Sequence, residues 1–186
     1  KIATEGIGVS KQEVITEFCN KVIMSGLLEN IPPNPKQHRY NLSSVHLSLS
    51  DHCNLNCSYC YARERKEHQV KSLTYEDYTR TIDDILSISN DVVFTLTGGE
   101  PLLNKKCFEI AQYIKSKNQK VYLLTNGTLI TENNILFIKE LFDLVTISID
   151  GPNERIHSLT RGSGNYKNVI RAIELLEDNS VEFTLS

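Results

Sequence analysis

Three cysteines, Cys53, Cys57 and Cys60, stand within the stretch Ser50-Asp-His-Cys-Asn-Leu-Asn-Cys-Ser-Tyr-Cys-Tyr61. Thiolates spaced this closely can hold three corners of a four-iron, four-sulfur cube and leave the fourth iron without a protein ligand. Clusters that only carry electrons normally have four cysteine ligands. An iron with an open position can bind a small molecule, and that points to catalysis. Zinc also takes clustered cysteines, but a structural zinc site asks for four ligands, usually in two separated pairs. Cys19, Cys107 and His52 are the available candidates for a fourth. His52 is a poor one, because it directly precedes Cys53. A disulfide reads worse still, since no signal peptide directs the chain to an oxidising compartment. On the triplet alone, iron–sulfur stands ahead of zinc and zinc stays open.

Further polar residues cluster in short motifs downstream. Thr97-Gly98-Gly99-Glu100-Pro101 sets a carboxylate behind two glycines, which let the backbone approach a ligand closely. The bland alternative is a tight strand-to-helix turn with Glu100 near a helix start, where negative charge is favourable anyway. Thr125-Asn126-Gly127-Thr128 is a good turn sequence. Ser148-Ile-Asp150 points two hydrogen-bonding side chains the same way, and these suit a ribose or neighbouring backbone amides. Arg161, in His157-Ser-Leu-Thr-Arg161-Gly, can grip a carboxylate with two donors, although an isolated arginine is more often a surface ion pair. Cys107 lies in a helical pattern and Cys19 on an earlier one; both read as buried thiols.

The elements that must carry these motifs follow from periodicity. Strands are predicted at Val45–Ser50, Val92–Thr97, Val121–Thr125, Leu144–Asp150 and Val181–Ser186. Helical patterns fall between them at about Thr74–Ser87, Lys105–Lys117, Glu132–Leu141 and Tyr166–Glu177, with a capping sequence at Thr74-Tyr-Glu-Asp77. Such alternation argues for a parallel sheet with right-handed crossovers. The strands also alternate internally: Phe94 and Leu96 oppose Thr95 and Thr97, and Val145, Ile147 and Ile149 oppose Thr146, Ser148 and Asp150. Period two puts the polar set on one face, so the sheet should curl around a polar cavity as a wide, incomplete barrel. Every unusual motif then falls at the carboxyl end of a strand, the active-site end of such folds. Ahead of the barrel, Ser10-Lys-Gln-Glu13 opens an amphipathic helix, stopped by Gly26 and by the proline-rich linker Asn30–Pro35. This divides the chain into an N-terminal segment, 1–40, and a barrel domain, 41–186.

The composition excludes other classes. The chain has 186 residues, 40% hydrophobic and 23% charged, which suits one proper core with a small appendage. A net charge of −3 provides no broad basic field for nucleic acid, and Arg63-Glu-Arg-Lys66 mixes signs. No apolar run approaches the length of a membrane span. The expected compartment is the cytoplasm, with neither membrane nor nucleic-acid partners.

As a set, these motifs resemble the radical S-adenosylmethionine superfamily. The resemblance rests on Cys53-x-x-x-Cys57-x-Tyr59-Cys60 and Gly98-Gly99-Glu100. Thr125-Asn-Gly-Thr128, Ser148-Ile-Asp-Gly151, His157 and Arg161 resemble the branch of anaerobic sulfatase-maturing enzymes and peptide maturases with a SPASM extension. It covers about Asn41 to Ser186 and implies a partial (β/α)6 barrel with five strand–helix units present. It further implies that Cys53, Cys57 and Cys60 ligate a [4Fe–4S] cluster whose open iron chelates S-adenosylmethionine. Tyr59 would lie by the adenine, Gly98–Glu100 at the methionine ammonium, Arg161 at its carboxylate, and Ser148 and Asp150 near the ribose. Asn126 would complete the cofactor-binding set. The implied activity is formation of a 5′-deoxyadenosyl radical that abstracts hydrogen from a peptide or protein, with a reductant such as flavodoxin or ferredoxin. A small-molecule or nucleotide substrate and a non-catalytic peptide-binding fragment are the alternatives. The sequence stops at the fifth strand and lacks the cysteine-rich region of that branch, so it reads as truncated. The first 40 residues resemble the end of a leader-peptide recognition domain.

Overall fold

The computed structural model describes residues 42–60 and 73–186. The expected N-terminal helix, its proline-rich linker and the Arg63–Lys66 run lie outside the described residues. The chain divides after Tyr40, and all described residues belong to the second unit, Asn41–Ser186.

Five parallel strands form one sheet: β1 (Ser44–Ser48), β2 (Val93–Thr97), β3 (Lys120–Thr125), β4 (Leu144–Ile147) and β5 (Phe183–Leu185). They pair in sequence order, β1-β2-β3-β4-β5. A doubly wound sheet reverses its order at a switch point, whereas consecutive order is the winding of a barrel. The crossovers are α1 (Tyr75–Ile88), α2 (Cys107–Ser116), α3 (Ile135–Leu141), α4 (Glu154–Arg161) and α5 (Tyr166–Asp178). The expectation of an α/β parallel fold with five strands and intervening helices is met.

The register explains the alternating strands. Phe94 pairs with Val121, Leu96 with Leu123, and Leu123 with Val145, so one apolar row crosses the sheet. That row is fully buried together with Ile82 of α1, Ile110 and Ile114 of α2, Ile138 of α3 and Val169, Ala172 and Leu176 of α5. The opposite face carries Thr95, Thr97, Tyr122, Thr146 and Ser148, all half-buried. Among the described residues, the helices thus pack on the apolar face, as period two predicts.

The capping sequence before α1 performs as expected. Thr74 Oγ1 accepts from the Asp77 amide, and the Asp77 carboxylate accepts from the Thr74 amide. One element is absent from the sequence reading: Arg161 lies ahead of the helix at Tyr166–Asp178, and it also ends a helix of its own, α4. The segment Glu-Arg-Ile-His-Ser-Leu-Thr-Arg holds only two aliphatic residues, too few for an apolar stripe. What starts α4 is the side chain of Asn153, which accepts from the Ile156 amide. The predicted strand ends also retract: β4 stops at Ile147, so Ser148 and Asp150 stand beyond it on the rim.

Candidate functional site

The cysteine loop leaves β1 and is held against the end of β2 by a run of backbone hydrogen bonds. The amide of Leu49 donates to Thr97 O at 2.8 Å, that of Gly99 to Ser50 O, and that of Glu100 to His52 O at 2.9 Å. The two glycines make this approach possible. Gly98 has φ +133°, and a Cβ at Gly99 would come within 2.3 Å of the His52 carbonyl oxygen. The close backbone approach inferred from Gly98-Gly99 is therefore real, but its partner is the cysteine loop itself.

Glu100 takes the capping position of the turn that follows β2. Its carboxylate is turned inward and fully buried. It accepts from Thr125 Oγ1 at 2.7 Å, the Asn126 amide at 2.9 Å and the Leu102 amide at 3.2 Å. Burial raises its pKa, and these donors oppose the rise. The alternative of a tight turn with Glu100 at a helix start is the one seen, and the carboxylate also ties the end of β2 to the end of β3. The reason is the turn: Pro101–Leu103 coils into a short 3-10 segment with Glu100 as its cap.

All three loop cysteines are free and half-buried. Cys53 Sγ accepts from the Leu55 amide at 3.4 Å and faces Asn126 Nδ2 at 3.7 Å. The same Asn126 nitrogen donates to Asn54 Oδ1 at 2.9 Å, and Asn54 donates to Thr128 Oγ1 at 2.8 Å, so the β3 turn grips the loop. The Cys57 thiol is raised by burial, lowered by Arg161, and raised again by the charges of Cys53 and Cys60. Placed this close in a half-buried loop, the three sulfurs could all be deprotonated only beside a cationic partner. An iron–sulfur cluster supplies that charge, so the residues present fit it. Among the described residues, no three His, Cys, Asp or Glu side chains converge as ligands of a single metal ion would. A cube asks for something different: one thiolate at each of three separate irons. Cys107 is buried in the core, with its thiol pushed up to about 12 by burial and by Glu100; Cys19 lies outside the described residues.

The opposite wall is built on α4. The Ser58 amide, between Cys57 and Cys60, donates to Thr160 O at 2.7 Å. The Asp150 carboxylate collects Tyr59 Oη at 2.7 Å, Thr160 Oγ1 at 2.6 Å and an ion pair with Arg161 Nε at 2.8 Å. Burial pushes the Asp150 carboxyl up, but the Thr160 and Tyr59 hydroxyls and the Arg161 guanidinium outweigh it and leave it below the usual range. The Arg161–Asp150 pair is close but misaligned, so the buried Arg161 Nε–H has no hydrogen-bond acceptor. The guanidinium also lies over the Tyr59 ring, 5.6 Å from its centroid. An arginine held this way retains capacity for another carboxylate, as the methionine end of S-adenosylmethionine would provide.

The fold therefore joins Cys53, Asn126 and Glu100 into one contact network, and Tyr59, Asp150 and Arg161 into a second on the same cysteine loop. Ser148 stands on the rim, with its amide donating to Thr125 O at 3.0 Å. Sequence reasoning missed Asn54, Thr128, Thr160 and Asn165. Asn54, Thr128 and Thr160 lie inside stretches already singled out, without a role of their own; nothing in the sequence marked Asn165.

Comparison with known proteins agrees with this geometry. The radical SAM superfamily model matches residues 47–185, and the chain belongs to that family, whose cofactors are a [4Fe–4S] cluster and S-adenosylmethionine. The chain is 36% identical over 160 residues to the cysteine-type anaerobic sulfatase-maturating enzyme of Clostridium perfringens, covering 77% of this chain and 43% of that protein. It is 32% identical over 136 residues to the AdoMet-dependent heme synthase of Oleidesulfovibrio alaskensis, covering 72% of this chain and 35% of that protein. The solved structure of native anSMEcpe with bound AdoMet and Cp18Cys peptide superposes with a TM-score of 0.67 at 31% identity, over 78% of this chain and 42% of the other. The chain thus spans less than half the length of these relatives. No helix among the described residues is long and apolar enough to cross a membrane.

Proposed function

We propose that this chain carries the cofactor-binding part of a radical S-adenosylmethionine enzyme that modifies a peptide or protein, with crosslink formation as one outcome. The observation that carries the reading is the clasped cysteine loop, gripped by the β3 turn on one side and by α4 on the other. In this reading Cys53, Cys57 and Cys60 hold the [4Fe–4S] cluster, and the rim residues hold S-adenosylmethionine. Once reduced by one electron from an external donor, a cluster held there would supply the chemistry that cleaves S-adenosylmethionine to methionine and a hydrogen-abstracting 5′-deoxyadenosyl radical.

The chain's own residues position and shield. Because the Glu100 carboxylate is buried, Gly98–Glu100 offers the methionine ammonium its backbone. Arg161 takes the carboxylate with the donor capacity that Asp150 leaves unused. Asp150 and Ser148 lie where the ribose hydroxyls would be read, Tyr59 lies along the adenine, and Asn126 keeps the Cys53 sulfur solvated by a donor. The electron comes from a reductant of the flavodoxin or ferredoxin type, and the setting is the cytoplasm. The first 40 residues belong to a separate domain that recognises the substrate's leader.

Support for a peptide substrate comes from the sulfatase-maturating relative and from the neighbour solved with a bound peptide. The similarity to a heme synthase supports a second reading, a small-molecule substrate. Anaerobic reconstitution of the full-length protein with iron and sulfide, followed by reduction with S-adenosylmethionine, should yield 5′-deoxyadenosine. Protein that takes up zinc and no cluster under those conditions sinks the enzyme reading. Adding a candidate precursor peptide should change its mass; conversion of a porphyrin instead selects the second reading.

A further inference from the structure

Behind the rim lies a pair of buried polar side chains with no place in the cofactor reading. His157 is fully buried and Asn165 almost so. Buried polar groups are retained where their hydrogen bonds are complete, and here the bonds of the pair reach the backbone of Asp150 and of Arg161. The Asp150 amide donates to His157 Nδ1 at 3.4 Å. A backbone amide can only donate, so Nδ1 is unprotonated and the ring hydrogen sits on Nε2. His157 Nε2 lies 2.7 Å from Asn165 Oδ1, which must then be the acceptor. That orientation is confirmed at the other end of the amide, where Asn165 Nδ2 donates to Arg161 O at 3.1 Å and Gly162 O at 2.8 Å. Gly162 and Gly164, both at positive φ, turn the chain so that Asn165 folds back over the end of α4. Tyr166 closes the pair from outside, its ring 5.5 Å from the imidazole and its hydroxyl donating to Pro152 O.

We infer that His157 and Asn165 are positioning residues for S-adenosylmethionine: one continuous brace sets the backbone of Asp150 and the backbone of Arg161 relative to each other. The two residues touch no cofactor. They act by fixing the two groups that do, because a gripping pair works only when both members are held to a fraction of an ångström. This inference rests on the cofactor reading above, and its test separates the two.

The full-length protein, with histidine ring nitrogens labelled, should show His157 as the Nε2–H tautomer by nitrogen NMR, with or without cluster. The cluster-loaded Asn165→Ala variant should bind S-adenosylmethionine about tenfold more weakly, the effect of leaving buried donors unpaired. Its iron content and its spectrum without S-adenosylmethionine should match the wild type. Asn165→Asp keeps the acceptor for His157 and loses the carbonyl cap; it carries the test if the alanine variant does not fold, and should also bind more weakly. The Nδ1–H tautomer, or a folded variant with unchanged affinity, overturns the brace. Cluster loss in step with affinity also overturns it, since that marks general loosening. Wild-type protein that binds no S-adenosylmethionine defeats the cofactor reading instead, and the tautomer still decides the brace.

Discussion

At the scale of single residues, the Asp150 carboxylate is the most connected group on the rim, and its neighbours set a pH dependence. Burial raises its pKa, but hydrogen bonds from Thr160 and Tyr59 and the charge of Arg161 leave it lowered from 3.8. A carboxylate with a depressed folded-state pKa binds protons more readily in the unfolded chain. Its contribution to stability is therefore complete above the unfolded value and is lost as pH falls through the folded one. In cluster-free protein, the gap in urea stability between wild type and Asp150→Asn should be constant near neutrality and shrink below about pH 4. A gap that widens on acidification would mean that Asp150 is not held as an anion by these donors. The sequence marked Asp150 and Arg161 separately as ligand contacts; that they contact each other is a tertiary fact.

At the scale of elements, the junction of β2 with the cysteine loop decides whether the three thiols can be presented together. The loop is secured through backbone atoms, so the side chains opposite it must be absent. Gly99→Ala places a methyl group 2.3 Å from the His52 carbonyl oxygen, a contact with rigid backbone that cannot turn away. The variant should keep its helical circular dichroism and lose most of its iron on anaerobic reconstitution. Full cluster occupancy in Gly99→Ala would show that the loop is held by something other than this approach. The Gly-Gly pair was legible as a close approach, whereas its partner was not. Two segments 46 or more residues apart in sequence meet there, and local pattern carries no record of the pairing.

At the scale of the whole molecule, stability is concentrated in the layer between helices and sheet centre. Leu123, in the central strand β3, is fully buried, whereas Leu136 in α3 is 67% exposed. Leu123→Ala should cost about 3 kcal/mol through lost burial and a residual cavity, and Leu136→Ala less than about 1 kcal/mol. Urea denaturation of the two variants measures the contrast; equal losses would show that Leu136 is as well covered as Leu123. The strand positions were legible to within a few residues because a sheet covered on one face imposes period two on its sequence. Helix α4 was not, because it is stabilised by the Asn153 cap and by Asp150, His157 and Asn165, not by an apolar stripe.

The sequence by itself determined the parallel winding, the rim on which the motifs fall and a cysteine triplet that puts iron–sulfur ahead of zinc. Cysteine spacing limits which metal a loop can hold, and hydrophobic period limits which fold can bury it; both are local properties. Only the tertiary structure decided which way each rim side chain faces. It turned Glu100 inward to join two strands and seated Asp150 among Tyr59, Thr160 and Arg161. It also placed Asn165, a residue without any local signature, at the end of the brace behind them. Those choices depend on where distant segments leave a buried donor or acceptor in need of a partner, and that requirement exists only once the chain has folded.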